Sequence, residues 1–366
     1  MEMNIVYKNV YGGTMSKLSA KEIIEKLTAY RKYGVVILGP TGTDENRLRV
    51  YLNGGDIGRI SVKDENSHEI LADSEYMKYL FSKEDKSKLE GFIREAKGEG
   101  ENPRDKGEIL CDKEYIACMA KATNYRFHNC NEKNNYQLVK GERIVETSMI
   151  AQQGKIKNED GNLLIYDMEY AIVLPTRPNK KNPKNPKISE PDFIVFDGTN
   201  IGIVELKYNS ENMTDDANSL GEHFEDFMDF IWKGENEGKW KIVEKSINRL
   251  KCLKEYGLID KSWYKKIEDL GKWYEKYSVG DFVTDRIWIG FYFVEGPRKR
   301  QNSQEEYVQK EVYKQLAKPM KKAKKEKHNT KVLYGYCKDD RNMKLAFDKE
   351  IVLDEADNIS FIELQK

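Results

Sequence analysis

The stretch PDFIVFDGTNIGIVELKY, residues 191–208, decides the reading of this chain. Phe193 to Phe196 and Ile201 to Tyr208 read as two apolar strands. Asp197-Gly198-Thr199-Asn200 reads as the tight connection between them, so the strands are expected to pair antiparallel. Side chains alternate along a strand, which puts Ile201, Ile203, Glu205 and Lys207 on one face and Gly202, Val204, Leu206 and Tyr208 on the other. Asp192 opens the first strand, and hairpin pairing carries it to the end of the second, beside Glu205 and Lys207. Two carboxylates and one ammonium are thereby predicted to meet.

Such a set suits phosphodiester hydrolysis. Carboxylates from two strands offer hard oxygen ligands to Mg²⁺ and leave positions for water and a phosphate oxygen. A metal so held lowers the pKa of bound water and neutralises charge building on phosphorus. A lysine two residues past the second acid can orient or deprotonate that water, or stabilise the phosphorane electrostatically; the sequence does not choose among these roles.

Pro191-Asp192 and Glu205-Leu206-Lys207 resemble the two halves of the signature of the PD-(D/E)xK nucleases, the superfamily of restriction endonucleases, Holliday-junction resolvases and many repair and defence nucleases. The resemblance implies an α/β fold with a restriction-endonuclease-like αβββαβ core. It also implies Asp192 and Glu205 as ligands of Mg²⁺, with Mn²⁺ as a substitute, and Lys207 as a catalytic lysine. The family usually adds a glutamate from a helix before the first core strand. Residues 137–153 read as that helix, with Leu138, Glu142, Val145, Glu146 and Met149 on one stripe. Glu146 is the favoured catalytic and metal-binding match, and Glu142 the alternative. Helix glutamates also commonly do no more than solvate a helix edge.

Residues 163–174 are expected to form the first core strand, with Asp167 and Glu169 on one face as extra ligands or as ordinary exposed polar positions. After Lys207, residues 223–232 and 240–256 read as helices. Lys245 or Arg249 on the second is expected to touch the scissile phosphate, as a basic or amide side chain does in some members of the superfamily. Residues 286–296 read as a strand buried on both faces, 331–337 as a further strand, and 344–366 as short strand-like runs that close the sheet or pack on another domain.

The chain has 366 residues, enough for two domains at roughly 150 residues each. The polar, Gly- and Pro-containing stretch GEGENPRDK, residues 98–106, is the expected boundary. It separates an N-terminal α/β unit, residues 1–100, from a nuclease domain, residues 107–366, which the helix at 113–125 begins or joins. The first unit reads as a strand at 2–10, a helix at 19–33 opened by a Ser19-Ala20-Lys21-Glu22 capping box, a buried strand at 34–38, a hairpin at 48–62 and a long helix at 74–97. Gly39-Pro40-Thr41-Gly42-Thr43 invites a phosphate-loop reading, but Asp44-Glu45-Asn46 stands where Gly-Lys-Ser/Thr is required. Nothing in this unit selects among target recognition, regulation and dimerisation.

The 62 basic residues balance 62 acidic ones, so total charge neither demands nor excludes a polyanionic partner. The distribution is uneven. Lys180, Lys181, Lys184 and Lys187 crowd a Pro/Asn-rich loop before the motif, and residues 297–328 carry eleven Lys/Arg against four Glu, a net +7. Both stretches suit salt-sensitive contact with backbone phosphates, and both also suit a solvated surface. The five cysteines form no Cys-x-x-Cys pair, and the four histidines show no ligand spacing. No run of about 18 apolar residues occurs, and no charged leader precedes an apolar core, so a cytoplasmic protein without a membrane span is expected.

The leading expectation is a metal-dependent nuclease acting on nucleic acid, DNA foremost, in a setting such as defence or restriction. A homodimer suits a double-strand cut, and a single chain suits a nickase. The alternatives are a catalytically silent nucleic-acid-binding protein of the same fold and an interaction protein whose hairpin is structural.

Overall fold

Ser19 folds as the cap its sequence predicts: its hydroxyl accepts from the Glu22 amide while the Glu22 carboxylate accepts from the Ser19 amide at 2.8 Å. The structure is a computed structural model. It describes residues 18–39, 46–64, 67–71, 74–99, 103–128, 145–146, 148–150, 156–159, 162–168, 172–178, 183–208, 219–232, 237–277, 286–295, 305–338 and 344–365. The strand expected at 2–10 lies outside the described residues.

Helix α1 (Ala20–Thr28) is followed by a four-stranded antiparallel sheet, β1 (Val35–Leu38), β2 (Arg47–Leu52), β3 (Gly55–Ser61) and β4 (Glu69–Ile70), in that order. Asn53 and Gly54, with φ of +47° and +84°, make the two-residue hairpin turn between β2 and β3. The long helix expected at 74–97 is instead two, α2 (Ser74–Met77) and α3 (Lys83–Ala96). The Ser82 hydroxyl accepts from the amides of Glu84 and Asp85 and so starts a new helix. Next come α4 (Lys106–Leu110) and α5 (Lys113–His128). Tyr115 Oη donates to the Ile57 carbonyl at 2.8 Å, and Lys121 pairs with Asp85 at 2.8 Å. The first contact fastens α5 onto the first sheet and the second ties it to α3, so α5 packs among the N-terminal elements.

The second sheet has seven strands, in the order β13-β12-β11-β10-β9-β8-β5. They are β5 (Leu164–Met168), β8 (Phe193–Phe196), β9 (Ile201–Tyr208), β10 (Ile287–Val294), β11 (Lys331–Cys337), β12 (Lys349–Leu353) and β13 (Ile359–Glu363). β5, β8 and β9 form an antiparallel meander; β9, β10 and β11 are parallel; β12 and β13 return antiparallel at the far edge. Helices α6 (Leu220–Trp232), α7 (Glu237–Glu255) and α8 (Tyr264–Tyr277) connect β9 to β10, and α9 (Glu305–Lys325) connects β10 to β11. Parallel strands require such crossovers. The C-terminal runs thus close the sheet, one of the two arrangements their sequence allowed.

The single strand expected at 163–174 divides. β5 ends opposite Phe193, and β6 (Ile172–Pro178) leaves the sheet to pair with β7 (Pro186–Ser189) in a separate hairpin. β8 cannot extend the pairing backwards, because Pro191 has no amide hydrogen to give. A bulge between Ile165 and Asp167 aims both Tyr166 and Asp167 at α7: Tyr166 Oη donates to Ser246 Oγ at 2.5 Å, and Asp167 pairs with Arg249.

Strand alternation sorts the apolar side chains into two layers. Ile194, Phe196, Ile201, Ile203, Phe291 and Phe293 face the crossover helices, packing with Phe224, Phe227 and Ile247. Phe193, Val195, Val204, Leu206 and Tyr292 face the other way, against Val145, Met149 and Ile150. β1 contacts β5 and divides its side chains between the layers, Val35 and Ile37 in the first, Val36 and Leu38 in the second. The apolar core is therefore continuous from the N-terminal sheet into the large one. Among the described residues no helix is long and apolar enough to cross a membrane.

Two local devices fix the hairpin and the helix above it. Asp197 Oδ1 accepts from the amides of Thr199 and Asn200 at 2.8 and 2.6 Å, Gly198 takes φ +94°, and Trp288 Nε1 donates to Asp197 Oδ2 at 3.2 Å. Gln315 Oε1 caps the start of α6 by accepting from the Leu220 amide at 2.9 Å. One turn on, Pro319 inside α9 has no N–H to give the Gln315 carbonyl, and Gly221 lets α6 approach that oxygen: a Cβ at Gly221 would stand 2.7 Å from it.

Gly202 is the tightest point of the second layer, since an added Cβ would lie 2.3 Å from Trp288 Cζ2 in a ring that is itself buried. Gly202→Ala is expected to lower stability by about 1–3 kcal/mol through this overpacking. Urea unfolding checks it, and an unchanged midpoint and slope would refute the tight fit.

Candidate active site

The register of β8 against β9 pairs Phe193 with Val204 and Ile194 with Ile203, so Asp192 stands directly across from Glu205. Both lie on the helix-facing side, with Lys207 two residues along β9. Asp192 is half-buried, and its Oδ2 accepts from the Leu206 amide at 2.6 Å, which ties the acid after the proline to the Glu-Leu-Lys segment. Glu205 and Lys207 are buried. On the other side, β10 places Phe291 beside Glu205 and Phe293 beside Lys207. These rings exclude water and strengthen every charge interaction within the pocket.

Glu205 has an asymmetric environment. Its Oε1 accepts from Lys207 Nζ at 2.6 Å and lies 3.2 Å from His223 Nε2 on α6. Its Oε2 is buried and has no hydrogen-bond partner among the described residues. A buried carboxylate oxygen without a donor is costly, about 1–3 kcal/mol or more, and marks a position suited to a cation. Asp192 and Glu205 thus present the hard oxygen donors that Mg²⁺ or Mn²⁺ takes, and they fit such an ion. Burial pushes the His223 pKa below its ordinary value, against the pull of Glu205.

Among the described residues no three His, Cys, Asp or Glu side chains converge to hold a metal. Glu146 is buried on the helical segment whose Val145, Met149 and Ile150 pack on the opposite side of the sheet from Glu205 and Lys207. It does not join Asp192 and Glu205 in one ligand set. Glu142 and Glu169 lie outside the described residues.

The basic residues divide in the same way. Lys187 points inward and bonds Glu222 and Asp226 of α6, each at 2.6 Å. Beside it Arg177 reaches Asp226 at 2.8 Å and Asp229 at 2.5 Å. These pairs strap the β6–β7 hairpin to α6, so the expected phosphate contact of Lys187 is replaced by a structural one. Arg249 is 2% exposed and pairs with the fully buried Asp167, which rules it out as a surface contact to phosphate and Asp167 as an exposed polar residue. Burial pushes the Asp167 carboxyl upward and the Arg249 guanidinium pulls it back toward the charged form. Lys184 is exposed and Lys245 half-buried, while Lys180 and Lys181 lie outside the described residues.

Sequence reasoning missed His223 and Arg177. The signal for His223 was present: it precedes Phe227 by one helical turn on the stripe that includes Leu220 and Ile231, a position that must face the sheet. Arg177 had no comparable signal, because its acidic partners belong to a helix about fifty residues away.

Breaking the Asp167–Arg249 pair leaves a buried charge without its counterion. Arg249→Ala is expected to cost about 3–5 kcal/mol of stability. Chemical denaturation checks this value, and a loss below about 1 kcal/mol would return Arg249 to the surface role its sequence position suggested.

No protein family, curated protein or solved structure matches the chain.

Proposed function

We propose that this protein is a divalent-metal-dependent nuclease with a restriction-endonuclease-like core, acting on nucleic acid, DNA foremost. One observation carries the reading: Asp192 stands across from Glu205 on one face of the hairpin, Lys207 adjoins them, and Glu205 Oε2 is buried without a partner among the described residues. The strand plan agrees with it, since the meander β5-β8-β9 followed by a helical crossover to parallel β10 has the βββαβ order of that core.

Asp192 and Glu205 are the residues to hold Mg²⁺ or Mn²⁺, which when bound supplies activated water and charge neutralisation at phosphorus. Asp192, the more exposed of the two, faces the approaching phosphodiester. Its fixed contact with the Leu206 amide holds the carboxylate in place, so little reorganisation accompanies substrate binding. Lys207 supplies a positive charge within a poorly solvated pocket, where it stabilises negative charge far better than it would in water. Phe291 and Phe293 exclude competing water from that side. Lys184 on the β6–β7 hairpin offers a cation for the polymer backbone.

A second reading, a silent nucleic-acid-binding protein of the same fold, draws on the lack of a three-residue ligand set among the described residues. Cleavage separates the two. Supercoiled plasmid, linear duplex, single-stranded DNA and RNA are incubated with the full chain and Mg²⁺ or Mn²⁺, with chelator as control. Metal-dependent cutting is expected, and Asp192→Asn, Glu205→Gln and Lys207→Ala should each lower the rate by about 10²-fold or more while remaining folded. Salt-sensitive binding with no cutting on any substrate favours the silent reading. Cutting that Glu205→Gln leaves intact refutes the proposed site.

A further inference from the structure

We infer that His223 is a positioning residue for Glu205, holding one oxygen of the carboxylate so that the other is presented to a divalent cation. The inference rests on the nuclease reading above for the nature of that cation. Its basis is the division of donors at Glu205. Lys207 Nζ, at 2.6 Å, and His223 Nε2, at 3.2 Å, both address Oε1, whereas Oε2 is buried without a partner among the described residues. A free carboxylate would turn to spread two donors over its two oxygens and avoid the cost of a bare buried one.

Lys207 cannot impose this asymmetry by itself. It stands two positions along the same strand and so moves with the carboxylate it contacts, whereas His223 comes from a separate helix. The His223 ring has far less freedom. It is largely buried, lies 5.9 Å from the Phe227 ring, and is carried by a helix fixed at several points. Gln315 caps the first turn of that helix, and Arg177 and Lys187 bind its acidic side. A donor on so fixed a helix sets the plane of the carboxylate. It also separates two tasks: with His223 on Oε1, Lys207 can leave for the substrate without releasing Glu205. Outer partners of this kind typically contribute about 10- to 100-fold in metal affinity.

The test measures binding of Mn²⁺ alone to the full chain by titration calorimetry, beside thermal unfolding in chelator. His223→Phe keeps a ring without a donor, His223→Asn carries an amide too short to reach Oε1, and His223→Gln restores a donor at the longer reach. The inference expects His223→Phe and His223→Asn to raise the Mn²⁺ Kd by about 10- to 100-fold and His223→Gln to recover most of that loss. A donor-less variant that folds and binds Mn²⁺ as tightly as the wild type overturns it, as does a glutamine variant as weak as the phenylalanine one. If the wild type binds no Mn²⁺, or binds it no better than Glu205→Gln does, the nuclease reading itself fails and takes this inference with it.

Discussion

The register between β8 and β9 is the constraint on which the rest depends. Side chains repeat every second residue along a strand, so a slip of one position would send Glu205 and Lys207 to the face now occupied by Leu206 and Val204. The turn prevents this. Asp197 gathers the amides of Thr199 and Asn200 onto one carboxylate oxygen and offers the other to Trp288 on the neighbouring parallel strand. A local turn is thereby anchored to a non-local strand, and Asp192 arrives opposite Glu205 as a consequence of where the turn begins.

Charge is handled in the interior by two different means. Asp167 and Arg249 neutralise each other across β5 and α7, and Asp226 takes both Arg177 and Lys187, so these ions serve to join elements. Such pairs give back much of their Coulombic gain as desolvation, and their value lies in the arrangement they enforce. Glu205 differs because its donors crowd one oxygen and leave the other bare. Helix α6 and the aromatic residues of β10 flank that one unbalanced group, and the β6–β7 hairpin is strapped to α6 in turn.

The hairpin was legible in the sequence almost residue for residue, because alternation and turn chemistry are local properties. Strands 193–196 and 201–208 stand where the apolar runs put them. The buried strand at 286–296 was equally clear from its continuous apolar character. What failed was reading without tertiary context. Residues 163–174 look like one strand, yet the partner available to it is only four residues long and preceded by a proline, so the second half pairs elsewhere. Lysines before the motif look like a surface patch, yet Lys187 turns inward to an acidic helix face whose position no local pattern reveals. Arg249 sits on a helix face that a bulge in β5 converts into an interior. His223 is a case of discounted information: a histidine on an apolar stripe faces the sheet whether or not it has ligand spacing.

The contact between Gly221 and the carbonyl of Gln315 makes two distant helices a single mechanical unit. A proline strips one hydrogen-bond donor from the middle of α9, and a glycine in the first turn of α6 settles against the carbonyl so released. Neither residue has value apart from the other. A side chain at the glycine would lift α6 off its seat, and every group that α6 carries toward the sheet, His223 first among them, would be displaced with it. The placement of α6 over the site is thus inherited from an irregularity in a different helix.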